Sequence, residues 1–301
     1  MKGILPLWKE KGMTSHDCVF KLRKILGTKK VGHTGTLDPN VEGVLPICIG
    51  QATRIAEYIT DSGKEYVAVI SIGTSTETED ADGAIVEQDT SIKEINRQEI
   101  EEALHKLTGE ITQIPPMYSA VKVKGKRLYE YARKGIVVER PERKVLIEQL
   151  ELLSKETEFE GPEITFTIRI KCGKGTYIRT LAVQIGELLG YPAHMASLIR
   201  TASGNFRRED CFTLDEVAHA KEESRIDEQI RPIEEALSEF HFIEVDNEMY
   251  GKIVNGQVLP IHSKLQTESK IVFTKNHKAL AVYIQHPTKE YLMKPEKMFP
   301  L

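Results

Sequence analysis

Residues 32–46 read GHTGTLDPNVEGVLP: three glycines, two prolines, one imidazole (His33) and two acids, Asp38 and Glu42. Pro39 biases Asp38 toward extended backbone and keeps helix from forming there. Gly32 and Gly35 permit positive φ or close backbone approach. A loop shaped in this way can hold one carboxylate in a cleft, as a nucleophile or a base. A lone Asp-Pro is more often a turn with a capping carboxylate; the density of special residues here makes that reading less convincing, but it names no reaction.

Two other segments could complement that carboxylate. KCGKGTYIRT (171–180) reads as a strand end, a glycine turn and a helix start, with Arg179 in the first helical turn. An arginine opposite Asp38 would hold it ionised and orient it through a paired hydrogen bond. Tyr66, at the start of an alternating strand, offers a stacking face or a phenolic hydroxyl. Taken singly, a surface ion pair and a core tyrosine are the commoner readings of these two residues. Other chemistries lack their residues. None of the four Gly-Lys pairs is followed by Ser or Thr, so there is no phosphate-binding P-loop. No GxGxxG opens a helix, and HExxH and GxSxG are absent. DADG (80–83) resembles part of a calcium loop, but Thr78 and Asp89 would stand at its first and twelfth positions, where Asp and Glu are needed. No metal or nucleotide cofactor is therefore expected.

The elements that must carry these residues follow from periodicity. Ser15 is expected to cap a helix through HDCVFKLRKILG, with Val19, Leu22, Ile25 and Leu26 on one face and Gly27 closing it. EYVAVISIG (65–73) and EITFTIRIKC (163–172) alternate as strands, the second with Ile164, Phe166, Ile168 and Ile170 inward. KVLIEQLELL (144–153) is a third strand, and helices are expected over 97–109 and 176–190. Uneven helix spacing between long alternating strands argues for an α+β fold: a mixed, mainly antiparallel central sheet flanked by helices. Residues 213–240 hold nine Asp/Glu against three Lys/Arg, with Pro232 between two short helices. Short strand-like runs and an Asn255-Gly256 turn follow. The expected organisation is a catalytic domain at 1–238 and a small, mostly β module at 239–301.

The 301-residue chain carries a net charge of −4, which alone argues against a polyanionic partner. Its distribution argues otherwise. Residues 122–144, KVKGKRLYEYARKGIVVERPERK, hold nine Lys/Arg and three Glu, or +6, leaving −10 on the remainder. A basic block interleaved with Tyr129 and Tyr131 suits a polyanion-binding surface; a solvated charged hairpin is the plainer alternative. The N-terminus reads as neither signal nor transit peptide, and no apolar run approaches the ~18 residues that span a bilayer. Cys18, Cys48, Cys172 and Cys211 are widely spaced, which fits reduced thiols in a cytoplasmic protein.

Taken together, GHTGTLDPNVEGVLPICIGQATR (32–54), EYVAVISIGTSTETEDADG (65–83), IPPMYSAVKVKGKRLYEYARKGI (114–136) and CGKGTYIRTLAVQIGELLG (172–190) strongly resemble the bacterial tRNA pseudouridine-55 synthases of the TruB family. The module around IVNGQ (253–257) is similar to a PUA-type RNA-binding domain. The resemblance implies the pseudouridine synthase fold and isomerisation of uridine at position 55 in the T arm of tRNA. Asp38 would attack a flipped-out uridine at C6 of the base or C1′ of the ribose, with Arg179 pairing to it. Tyr66 would stack on the uracil and help remove the C5 proton, and His33, Tyr177 and Leu198 would line the base pocket. It also implies an RNA-gripping insertion near 115–144, with Lys122, Lys124, Lys126, Arg127, Arg133 and Lys134 as contacts. The expected partner is the tRNA T stem-loop; no cofactor, membrane or obligatory protein partner is implied, and a monomer suits a protein that wraps a stem-loop. Family members often read KPxG where this chain has Lys9-Glu10-Lys11-Gly12, and many have Ser at the position of Gly173. Two alternatives stand beside the stand-alone enzyme: an RNA-folding protein without chemistry, and a guide-dependent synthase.

Overall fold

The computed structural model describes residues 2–299. Its contacts divide the chain into two compact units. One holds the segments up to Pro39, Val44–Thr60 and everything from Gly204; the other holds Asn40–Gly43 and Asp61–Ser203.

The second unit is built on a sheet in which the strands Ala193–Ser203, Lys64–Ile72, Ile164–Cys172, Arg143–Leu152 and Gly109–Gln113 lie side by side. Every one of those pairings is antiparallel. Glu42 and Gly43 add a short parallel pairing to Ile199 and Arg200, so the sheet is mixed and mainly antiparallel, as the sequence pattern implies. Ile164, Phe166, Ile168 and Ile170 are all buried. The helices Arg97–Lys106 and Ile178–Leu189 pack on the sheet. The second of them ends at Gly190 in the left-handed conformation, the usual helix stop.

In the first unit the helix Ser15–Leu26 buries Cys18, Val19, Leu22 and Leu26 and stops at left-handed Gly27. Its cap is Thr14, not Ser15: the Thr14 hydroxyl accepts from Asp17 N, and the Asp17 carboxylate accepts from Thr14 N. Both residue types cap well, and Ser15 is drawn away by a tertiary bond described below. The strand Val31–His33 pairs with the far end of Glu42–Ile49. A five-stranded sheet runs in the order His241–Glu244, Ile271–Lys275, Lys278–Gln285, Leu292–Met298, Leu259–Pro260. Its side chains Val272 and Val282, with Phe299 just beyond the strand Leu292–Met298, enter one apolar core with Ile4, Val44, Ile55, Ile59 and Leu237. Beside that core, Glu296 accepts from the Tyr58 hydroxyl at 2.5 Å and from Lys270 Nζ at 2.6 Å.

Candidate active site and nucleic-acid interface

Asp38 is half-buried, and both of its neighbours in the chain are tied down. On one side, Leu37 N donates to Ser15 Oγ at 2.9 Å, and Ser15 Oγ donates back to Leu37 O at 3.3 Å. Ser15 is 1% exposed, so water does not compete for either bond. On the other side, Pro39 O accepts from Lys9 Nζ at 3.1 Å and from Gly12 N at 3.0 Å. Lys9 is fully buried and also donates to Glu10 O. Upstream, Thr34 donates from its hydroxyl and its amide to Pro46 O, closing the loop on itself. Gly35 sits at φ +137, where a Cβ is strained, and its amide donates to His33 Nδ1 at 3.4 Å. The 9–12 turn thus acts through a lysine amine and a glycine amide, and no side chain at position 10 is called for.

Gly43 serves the other unit. A Cβ there would lie 2.3–2.9 Å from the backbone of Arg200, and its φ is +135. Only glycine lets those two chains approach so closely.

The remaining expected residues all sit in the second unit. Tyr66 is buried on Lys64–Ile72, opposite Ile170 on one flanking strand and Arg200 on the other. Leu198 pairs with Ala68, two positions along the same face, and so shares that face with Tyr66. Arg200, 1% exposed, joins them there. Burial and the Arg200 charge push the Lys64 ammonium down to about 8. Tyr177 opens the helix Ile178–Leu189 and is pinned by Gln113, whose side chain accepts from Tyr177 N at 2.9 Å and donates to Tyr177 O at 3.2 Å.

Arg179 is buried in the first helical turn. Its Nη1 donates to Thr78 O at 3.1 Å and lies 3.6 Å from Asp80 Oδ2, while Nη2 donates to Tyr118 O at 3.0 Å. Asp80 is itself braced, accepting from Thr78 Oγ1 and from Asp82 N. Next to it, Glu79 is in left-handed backbone at φ 63. Its carboxylate accepts from Thr180 Oγ1, and burial raises its pKa. The DADG segment is therefore an arginine anchor in this fold. The sequence signal was a run of acids with no ligand spacing, which does not reveal the tertiary partner. Lys9, Gln113 and Arg200 likewise carried no local signature, and Ser15 read only as a helix cap.

The basic insertion is a hairpin, Lys122-Val123 against Lys126-Arg127, turned by Lys124 at φ 50 and Gly125 at φ 83. Two positive-φ residues match the strand twist of a tight hairpin. The helix Leu128–Ala132 follows, held by fully buried Leu128 and by the Tyr131 hydroxyl on Val123 O. Arg127 and Arg133 lie 5.8 and 5.3 Å from the Tyr129 ring centre, which fixes their heads. Lys122, Lys124, Lys126, Arg127, Arg133 and Lys134 are all exposed. Cys18, Cys48 and Cys172 are buried, and burial pushes the last two thiols up to about 12 and about 11. Among the described residues, no helix is long and apolar enough to cross a membrane.

An anchored Asp-Pro loop, an arginine-anchored helix start beside an antiparallel sheet and a basic hairpin form a recognisable set. Residues 23–178 match the TruB family pseudouridylate synthase N-terminal domain, and residues 179–238 match the tRNA pseudouridylate synthase B C-terminal domain. The chain belongs to the TruB family of pseudouridylate synthases. It is 56% identical over 303 residues to the tRNA pseudouridine synthase B of Listeria innocua, covering 100% of this chain and 99% of that protein. With the tRNA pseudouridine synthase B of Geobacillus thermodenitrificans it shares 53% over 301 residues, 99% of this chain and 100% of the other. A chain of a Cbf5-Nop10-Gar1 complex has the same fold, with a TM-score of 0.74 and 27% identity across 99% of this chain and 85% of that one.

Proposed function

We propose that this protein isomerises uridine to pseudouridine in tRNA, at position 55 of the T arm, acting alone as a cytoplasmic monomer. The observation that carries the reading is the 56% identity, end to end, with a tRNA pseudouridine synthase B. Asp38 is the nucleophile, Tyr66 stacks on the uracil and takes part in removing the C5 proton, and Arg179 is the cation of the catalytic set. His33, Tyr177 and Leu198 line the base pocket. Attack at C6 or at C1′ leads to the same balance: N1–C1′ breaks, C5–C1′ forms, and the C5 proton moves to solvent while N1 gains one. An isomerisation needs no electron acceptor and consumes no second substrate, so no cofactor is called for.

The energetics suit an enzyme that acts on a flipped-out base. Flipping a stacked base costs a few kcal/mol, which stacking on an aromatic ring offsets by about 1–3 kcal/mol. Lys122, Lys124, Lys126, Arg127, Arg133 and Lys134 contact phosphates, and residues 239–301 act as a PUA-like RNA-binding module. The test is to incubate an unmodified tRNA transcript with the protein and map pseudouridine by carbodiimide-blocked primer extension. A single stop one nucleotide 3′ of position 55, absent when U55 is replaced by C, is expected. A stop elsewhere would refute the assigned position, and modification only on adding a guide RNA would refute the stand-alone reading.

A further inference from the structure

The basic insertion carries an apolar tip as well as cations. Ile136 is 48% and Val137 is 95% exposed, the second being the highest value among the large apolar side chains described. Val137 is as solvated as in an unfolded chain, so it adds nothing to folding. The way the chain reaches it is fixed, however. Gly135 at φ 63 ends the helix Leu128–Ala132, with Gly135 N donating to Ala132 O and Ile136 N to Tyr131 O, the paired bonds of a Schellman stop. Cations stand on both sides of the tip in the sequence. Arg133 lies against the Tyr129 ring, and Arg140 is tethered by its bond to Pro115 O at 3.1 Å.

We propose that the Ile136–Val137 tip is an apolar wedge that packs on unpaired bases of the RNA while the flanking cations hold its phosphates. This rests on the insertion being the RNA surface. Charge selects the occupant: the 122–144 segment is +6 on a chain of net −4, so a polyanion is drawn to it. Chemistry selects the part of the polyanion. An apolar side chain gains nothing from phosphate, and paired bases hide their faces in the stack, whereas the unstacked bases of a loop offer theirs.

The test compares Ile136→Ser/Val137→Ser with Lys124→Ala/Lys126→Ala/Arg127→Ala, titrating each against a T stem-loop and against a blunt duplex of equal length at several salt concentrations. The tip variant should keep the wild-type melting temperature and bind the stem-loop about tenfold more weakly. Its salt slope and its duplex affinity should not change. The cation variant should lower the salt slope on both RNAs. Wild-type affinity of the tip variant for the stem-loop, or equal losses on both RNAs, would overturn the wedge while leaving the RNA surface standing. So would a change in self-association by sedimentation with RNA binding intact, which would make the tip a contact between copies. A cation variant that binds both RNAs as wild type does would remove the RNA surface, and the wedge with it.

Discussion

Replacing Ser15 by Ala should loosen the loop that carries Asp38. The serine hydroxyl is the partner of Leu37 N at 2.9 Å, a bond of good length, and donates to Leu37 O at 3.3 Å, a weaker one. With Ser15 1% exposed and Leu37 4% exposed, no bulk water takes its place. Removal leaves a buried N–H unsatisfied, which costs about 1–3 kcal/mol; loss of the weaker bond donated to Leu37 O adds little. Part of that loss falls on the geometry of the neighbouring carboxylate. If about 1.4 kcal/mol of it is preorganisation, kcat falls about tenfold, while KM, set by RNA contacts elsewhere, stays within about twofold. Urea denaturation and single-turnover pseudouridine formation on one tRNA transcript would read both effects. A variant that loses stability but keeps wild-type kcat would refute the claim that the Leu37 clamp positions Asp38.

Three further outcomes follow from other parts of the chain. Asp80→Asn removes the charge 3.6 Å from Arg179 Nη1 but leaves its two carbonyl partners; single-turnover rates should fall at least about tenfold with tRNA affinity unchanged in filter binding. Gly43→Ala brings a Cβ within 2.3 Å of Arg200 O at a φ of +135, so urea denaturation should show a loss of more than about 2 kcal/mol. Lys64 has its pKa depressed to about 8 from an ordinary 10.5, so between those values the unfolded chain binds more protons than the folded one. Stability from this group should therefore rise as pH climbs through that window and be at its lowest below about 8. Lys64→Met should flatten that rise in melting temperature between pH 8 and 10.5.

Elements with a strong local period could be read directly: the strand Ile164–Cys172 alternates because one face is buried, and the helix Ser15–Leu26 shows an apolar stripe. The strand Ala193–Ser203 gave no such signal. Its burial alternates only over residues 197–202, and small and polar residues such as Ala193, His194, Ala196 and Ser203 blunt the apolar pattern in the sequence. Leu292–Met298 hides for another reason: Pro295 and three charged residues read as a loop, and the strand tolerates Pro295 where its pairing with Tyr283 shifts register. At the candidate site, Asp38 stood out because backbone specialisation is written in glycine and proline. The groups that hold it did not stand out. Lys9 and Ser15 act across 30 and 22 positions of chain, and Asp80 reaches Arg179 across about 100; no local pattern encodes such a partner.

Catalysis by Asp38 is tested most directly by tritium release from a tRNA transcript labelled at C5 of uridine, comparing the wild-type protein with Asp38→Asn. The wild type should release one tritium per tRNA, and Asp38→Asn none although that variant still binds the transcript. No release by saturating wild-type protein, or release by the variant at the wild-type rate, would contradict catalysis by Asp38.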